Sequence, residues 1–101
     1  MLHMELYPAL PTEAASIRKE VFMEEQGFVE EFDEIDHQAR HIVVFNGEVP
    51  VGTCRFYWDQ ERNSYVLGRV AVRKAFRGQS LGLMLVQECE KQVIASKANK
   101  L

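Results

Sequence analysis

The spacing of apolar residues in the N-terminal half of this chain predicts a strand followed by a helix. Residues 3–10 are rich in apolar residues and end near two prolines, as a short strand does. Apolar residues then recur at helical spacing from Thr12 to about Glu25, and Thr12 is the expected N-cap. Arg18 falls on the apolar face of this helix. Either its stem packs there while the guanidinium reaches water, or the guanidinium pairs with a carboxylate.

The C-terminal half shows three strand-like runs and then a second helix. Residues 41–45 and 49–58 have the composition of strands, and Asn46-Gly47 between them is a strong hairpin signal. A polar turn leads to a third run, residues 65–72, so the three strands form an antiparallel meander. An apolar helix begins at Leu81. Together these elements predict an α/β (α+β) fold, in which helices flank a mixed sheet of antiparallel strands.

Length and composition narrow the classes of protein. The chain has 101 residues, which fits one domain, and its 47% hydrophobic and 27% charged residues are typical of globular proteins. A net charge of -3 argues against nucleic acid as the main partner. The sequence shows no signal-peptide or membrane-spanning pattern, so we expect a cytoplasmic location and no membrane partner. Cys54 and Cys89 are expected to be buried free thiols.

A basic turn joins the third strand to the last helix. Arg73, Lys74 and Arg77 supply positive charge, and Gly78 lets a ligand approach the backbone closely. The first N–H groups of a helix have no partner within the helix and carry partial positive charge. The turn therefore predicts a site for an anion.

Two segments of the chain resemble motifs of the GNAT superfamily of N-acetyltransferases. The stretch Arg77-Gly78-Gln79-Ser80-Leu81-Gly82 is similar to the acyl-CoA-binding motif R/Q-x-x-G-x-G/A, with Ser80 in place of the first motif glycine. Residues 18–27 resemble the R-x-x-V-F-x-x-E-Q-G stretch of generic bacterial members, and Asp36-His37-x-Ala39-x-His41 extends the match. Residues 69–72 resemble the strand that precedes the motif.

The resemblance implies that acetyl-CoA, as the acyl donor, binds between the third strand and the last helix. It places the pantetheine arm beside Val70 and Val72, and a backbone N–H near Val72 would polarise the thioester carbonyl. It places the pyrophosphate on the backbone N–H groups of residues 77–82. The implied cofactor-binding residues are Val70, Val72, Arg73, Arg77, Gly78, Gln79, Ser80, Leu81 and Gly82.

The implied function is transfer of an acetyl group to a primary amine of a small molecule. The alternative is a non-catalytic GNAT-like domain that binds CoA or acts as an interaction module. The sequence assigns no catalytic residue: Glu24 and Glu25 are candidate bases, and Tyr57 and Tyr65 are expected to pack. Because family members continue past this helix, residues 1–101 are expected to form a single domain that is incomplete at its C-terminus. The strand edge left open predicts a homodimer.

The segment between the first helix and the next strand is rich in acidic residues, which allows two interpretations. Either these residues form a solvated surface, or their combined field attracts a cationic amine acceptor. His37 and His41 with Asp36 give only a weak metal-site signal, so no metal is expected. The acidic residues are Glu24, Glu25, Glu30, Glu31, Asp33, Glu34 and Asp36.

Overall fold

The computed structural model describes residues 2–27 and 32–98, which form a four-stranded sheet with a helix on each face. Single-turn 3₁₀ helices, Glu34–His37 and Lys74–Phe76, come before the second strand and the last helix. The strands are β1 (Leu2–Tyr7), β2 (Arg40–Asn46), β3 (Val49–Asp59) and β4 (Ser64–Val72), and the helices are α1 (Thr12–Arg18) and α2 (Leu81–Ala98).

The sheet is antiparallel throughout, in the order β1-β2-β3-β4. The predicted meander of β2, β3 and β4 is confirmed, and β1 pairs along the outer side of β2. Asn46 lies opposite Val49 across a two-residue turn in which Gly47 has a φ of +64°. A glycine adopts that left-handed conformation without steric cost, which is why Asn-Gly favours this hairpin.

The first helix differs from the prediction at both ends. Thr12 is the first helical residue rather than the N-cap; Pro11 holds that position, and its carbonyl accepts the N–H of Ala15 at 3.0 Å. After Arg18 the helix widens to π-helical geometry over Lys19–Glu25. The N–H of Gln26 donates to the carbonyl of Val21, five residues back, at 3.2 Å. Such π segments are rare and often lie at functional sites.

Each face of the sheet has its own apolar core. On one face α1 packs Ala14 and Ile17 against Val43 and Ala71. On the other face α2 covers the larger core, so β3 and β4 are fixed between two helices. The fully buried members of the α2 core are Ile42, Val44, Val51, Cys54, Phe56, Leu81, Leu85 and Cys89.

Gly52 of β3 lies in a crowded position between β2 and α2. A Cβ at this position would lie 2.9 Å from Cγ1 of Val44 on β2 and 3.3 Å from Cδ1 of Leu85 on α2. Neither side chain has room to move, because Val44 and Leu85 are fully buried. Packing at this position therefore favours glycine.

We expect Gly52→Ala to lower the free energy of unfolding by about 1–3 kcal/mol, because the added methyl group overpacks this contact. Chemical denaturation measures the change. Gly68→Ala is the matched control, since a Cβ at Gly68 meets nothing within 4 Å. Equal losses in the two variants would contradict the packing argument.

Candidate functional site

The turn between β4 and α2 is fixed at both ends and exposed in the middle. At its start, the N–H of Arg73 donates to the carbonyl of Val51 on β3 at 2.9 Å. At its end, Leu81 is buried against the sheet as the first residue of α2. Residues 77–80 between them are exposed. The fold therefore presents this backbone to a ligand from a fixed position.

The first turn of α2 presents backbone N–H groups beside this exposed segment. The N–H of Met84 donates to the carbonyl of Ser80 at 3.0 Å. The N–H groups of Leu81, Gly82 and Leu83 come earlier and have no carbonyl partner within the helix. The dipole of an 18-residue helix adds partial positive charge here. This geometry favours an anion, as the sequence predicts.

The outer edge of β4 lies next to the start of α2. Among the described residues β4 pairs with β3 alone, so its other edge is open. Backbone groups alternate in direction along a strand, and the N–H of Arg73 points toward β3. The N–H groups of Val72 and Val70 therefore point toward the open edge. A Cβ on Gly82 would lie 3.9 Å from Cγ1 of Val70, so the two predicted binding segments lie close together.

A β-bulge interrupts β4 at this edge. Arg69 and Val70 both lie opposite Cys54, so β4 carries one more residue than β3 between paired positions. Arg69 has a φ of +53°, in the left-handed region that residues other than glycine rarely adopt. The sequence pattern of β4 did not predict this bulge, since no glycine marks the left-handed position.

The guanidinium of Arg77 is already bound within the chain. Its two terminal nitrogens donate to the carboxylate of Glu25 at 2.6 and 2.8 Å, and its Nε donates to the carbonyl of Val72 at 2.9 Å. The hydrogen bond from Arg77 lowers the pKa of Glu25, and the reciprocal bond raises the pKa of Arg77. A lowered pKa makes Glu25 a weaker base, which weighs against the catalytic role considered for it.

Arg73 is also close to groups on the first helix. Its Nη2 donates to the hydroxyl of Ser16 at 3.3 Å, and its Nε lies 3.7 Å from the carboxylate of Glu20. Carboxylates of the π-helical segment thus lie beside two of the three cations predicted to attract the ligand. Sequence reasoning missed these pairs, because Glu20 and Glu25 are separated from their partners by about half the chain.

Five charged residues on the α1 face form an arginine–aspartate network. Arg18 donates to both oxygens of Asp36 at 2.7 and 3.1 Å, and both side chains are buried. Arg55 donates to Asp36 at 2.9 Å and to Asp33 at 2.7 Å. Arg69 on β4 donates to Asp33 at 3.2 Å. The network therefore connects α1, the 3₁₀ helix before β2, β3 and the β4 bulge.

The network keeps both aspartates ionised. Burial alone would raise the pKa of Asp36, but hydrogen bonds from Arg18, the N–H of Asp33 and Arg55 outweigh it and hold that pKa well below its usual range. The hydrogen bond from Arg55 lowers the pKa of Asp33. Burial lowers the pKa of His41, whose Nε2 lies 3.1 Å from the carbonyl of Asp36. His41 is therefore neutral at physiological pH.

These contacts bear on two alternatives that the sequence left open, and for Arg18 they confirm pairing with a carboxylate. Arg18 does not extend to water: it is 1% exposed and paired with Asp36. Asp33, Asp36 and Glu25 are paired with arginines, so they do not form a free acidic field for a cationic acceptor. Two further acidic residues of that segment, Glu30 and Glu31, lie outside the described residues.

Other candidate chemistry is sparse in residues 2–27 and 32–98. This part of the chain contains no cluster of His, Cys, Asp and Glu suited to a metal ion. Cys54 and Cys89 are buried free thiols, as predicted, and burial raises their pKa to about 12 and about 11. Tyr65 packs against Phe56 and Trp58. None of the helices described here has the length and apolar character that a membrane span requires.

Comparison with known proteins identifies the family of this chain. The model of the acetyltransferase (GNAT) family matches residues 4–101, which is nearly the whole sequence. The chain belongs to the GNAT family. Residues 77–82, which resemble the acyl-CoA-binding motif, lie at the β4–α2 junction.

Individual relatives of this GNAT chain are longer than it is. YjcF of Bacillus subtilis (strain 168), described as an uncharacterized N-acetyltransferase, is 37% identical over 81 residues, which cover 78% of this chain and 56% of YjcF. The match to the structure of Escherichia coli ElaA has a TM-score of 0.81 at 23% identity, and it covers 92% of this chain and 70% of the ElaA chain. A Brucella melitensis GNAT acetyltransferase solved with acetyl-CoA has a TM-score of 0.66 at 23% identity, covering 93% and 70%. The two structures confirm the predicted fold.

Ser80 stands where the resembled GNAT motif has its first glycine, and the backbone at this position is strained in the structure. Ser80 has a φ of +60°, a left-handed conformation that glycine adopts freely and a residue with a Cβ adopts with strain. An N-cap residue normally has extended backbone instead. The usual glycine of the motif therefore suits a conformation that this chain keeps despite the serine.

We expect Ser80→Gly to raise the free energy of unfolding by about 1 kcal/mol, because it removes the strain of a left-handed residue with a Cβ. Thermal and urea unfolding measure the change. Ser80→Ala is the control, since it removes the hydroxyl but keeps the Cβ. A gain in Ser80→Ala equal to that in Ser80→Gly would show that the hydroxyl, not the backbone, is the source.

We expect Asp36→Asn to lower the free energy of unfolding at pH 7 by about 3–5 kcal/mol, because it leaves Arg18 buried without its charge partner. Asp59→Asn is the control: its partner Arg62 is 72% exposed, so the loss should stay below about 1 kcal/mol.

The pH dependence of stability checks the same pair. The folded pKa of Asp36 is lowered, so its stabilisation is present above its ordinary pKa of 3.8 and is lost as pH falls below that value. In Asp36→Asn the free energy of unfolding should therefore fall less steeply as pH is lowered below 3.8 than it does in the wild type. An unchanged dependence on pH would contradict the lowered pKa of Asp36.

Proposed function

We propose that this chain binds acetyl-CoA at the β4–α2 junction and transfers the acetyl group to a primary amine of a small molecule. One observation carries the proposal: the open edge of β4 and the exposed N–H groups of α2 converge, with Val70 beside Gly82. Membership of the GNAT family supports the choice of acyl donor. The acetyl-CoA complex of the Brucella melitensis relative supports it as well.

The chain's own residues fit an acyl-CoA. The outward N–H groups of Val70 and Val72 are free to bond an extended amide-containing arm, as a neighbouring strand would. The exposed residues 77–80 and the first N–H groups of α2 suit a diphosphate. An N–H on the β4 edge near Val72 polarises the thioester carbonyl. The amine nitrogen then bonds to the carbonyl carbon and gives up one proton, the C–S bond breaks, and the departing thiolate takes up one proton.

Glu25 competes with the ligand for Arg77. A diphosphate and a carboxylate both accept two parallel hydrogen bonds from a guanidinium. The bidentate pair between Arg77 and Glu25 therefore has to open if Arg77 is to contact phosphate directly. Alternatively the pair stays closed and holds the turn, while backbone N–H groups bind the ligand. In both cases the first helix acts on the anion site through Glu25.

The choice of an amine acceptor rests on the family rather than on a free acidic field. YjcF is described as an N-acetyltransferase. In this chain Asp33 and Asp36 are neutralised by arginines. The acceptor is therefore proposed to bind by shape and hydrogen bonding, with long-range attraction contributing little.

We expect acetyl-CoA to bind this chain in a calorimetric titration and to release thiol in the presence of primary amines but not of alcohols. Gly78→Glu should weaken binding more than about tenfold, because it places a negative side chain where the pyrophosphate lies. Gly47→Glu is the matched control: both glycines have positive φ and open space, but Gly47 lies in the β2–β3 turn. Equal affinity in the two variants would remove the turn from consideration.

A non-catalytic role is the alternative, and two observations favour it. Ser80 strains the motif, and Glu25 occupies the guanidinium of Arg77. Under this alternative the chain binds CoA or a protein partner without turnover. Calorimetric binding without thiol release on any amine would select it.

We also propose that the chain forms a homodimer. Besides the open edge of β4, an apolar groove of about 380 Å³ lies between β4 and α2 and is lined in part by Leu67, Cys89 and Val93. Ile94 at its rim is 67% exposed. Exposed strand edges and apolar surfaces favour self-association.

Light scattering across a dilution series tests the dimer. We expect a mass of two chains at high concentration and dissociation in Ile94→Lys, which places a charge in the groove. Leu83→Lys is the control, because Leu83 is 58% exposed on the same helix but does not line the groove. A single-chain mass at every concentration would overturn the proposal.

A further inference from the structure

Arg69 holds an unusual backbone conformation at the open edge of β4. Its φ is +53°, and it lies in the bulge where two residues of β4 face Cys54 alone. A residue with a Cβ adopts this conformation at a cost, so neighbouring contacts must stabilise it. A bulge changes the direction of the backbone groups that follow it. The conformation of Arg69 therefore determines where the N–H of Val70 points.

The side chain of Arg69 is tied to Asp33. Its Nη2 donates to Oδ2 of Asp33 at 3.2 Å. Asp33 in turn accepts two hydrogen bonds from Arg55, at 2.7 and 3.2 Å, and Arg55 is 5% exposed. The contact with Asp33 is thus the point at which the arginine–aspartate network reaches the bulge.

Asp33 is itself fixed in position, although its side chain is 37% exposed. Its N–H donates to Oδ2 of Asp36 at 3.1 Å, and the N–H of Asp36 donates back to the side chain of Asp33. Asp36 is held by the buried Arg18. A carboxylate ordered by these contacts loses little further entropy when it binds Arg69, unlike an ordinary surface carboxylate.

We propose that Asp33 is a positioning residue for acyl transfer, which holds Arg69 in the left-handed conformation and so fixes the bulge that directs the Val70 N–H to the open edge of β4. This rests on the proposed function, in which the acyl donor lies along that edge. Asp33 does not touch the reacting atoms; it acts through Arg69.

The substitution Arg69→Gly distinguishes a positioning role of Asp33 from a general structural role. Asp33→Ala and Arg69→Ala should each lower kcat/KM for acetyl-CoA about tenfold, the change that one charge-assisted hydrogen bond is worth, because the Val70 N–H no longer points to the donor. Arg69→Gly should retain most of this kcat/KM, because glycine adopts positive φ without support. Adding Asp33→Ala to Arg69→Gly should then change kcat/KM little, since the two positions act as one unit.

The backbone conformation can be read without turnover. In the isotopically labelled chain, the Cα and Cβ chemical shifts of residue 69 report left-handed geometry in the wild type and should move toward extended values in Asp33→Ala. This measurement stands even if the wild type fails to bind acetyl-CoA, a result that would refute the proposed function alone. Asp59→Ala, which removes an equal charge at the end of β3, is the control and should leave both kcat/KM for acetyl-CoA and these shifts unchanged.

Two results would overturn the proposal. Unchanged shifts of residue 69 in Asp33→Ala would show that Asp33 does not hold the bulge. Equal losses of kcat/KM for acetyl-CoA in Arg69→Gly and Arg69→Ala would show that the guanidinium itself, rather than the backbone geometry, matters.

Discussion

The buried ion pair between Arg18 and Asp36 is the constraint on which the rest of this structure depends. Removing two charges from water is costly, and the pair is tolerated only because Asp36 also accepts from Arg55 and from the N–H of Asp33. These contacts fix the orientation of the first helix against the sheet. That orientation in turn allows Glu25, at the end of the π-helical segment, to reach Arg77 across the β4–α2 turn.

The same strand serves the core and the candidate site. On its inner edge β4 pairs with β3, and its side chains pack under both helices. On its outer edge the backbone is open among the described residues. Arg69, in the bulge at this edge, donates a hydrogen bond to Asp33 of the arginine–aspartate network. A rigid inner edge and an open outer edge on one strand give a ligand a fixed surface to bind. At Gly82 the N-terminus of α2 lies close to that surface.

The sequence predicted the elements that depend on local residue patterns, and it did not predict the contacts between residues far apart in the chain. The three-strand meander, the Gly47 hairpin and the start of α2 follow from periodicity and turn chemistry, and the structure confirms them. The Arg18–Asp36 pair joins residues 18 positions apart, and Arg77–Glu25 joins residues 52 apart, so no periodic signal reveals them. The left-handed conformation of Arg69 is imposed by tertiary contacts on a residue that does not prefer it. The left-handed conformation of Ser80 differs from that of Arg69, because the sequence contains a hint of it: Ser80 replaces the glycine usual in the motif.

Amide chemical shifts of the labelled chain show directly whether acetyl-CoA binds at the β4–α2 junction. We expect titration with acetyl-CoA to move the amide signals of Val70, Val72 and residues 78–82, while those of the β2–β3 turn at Gly47 stay in place. Shifts confined to a surface away from the β4–α2 junction would contradict it, as would the absence of any shift at ligand concentrations well above those at which family members bind their acyl donor.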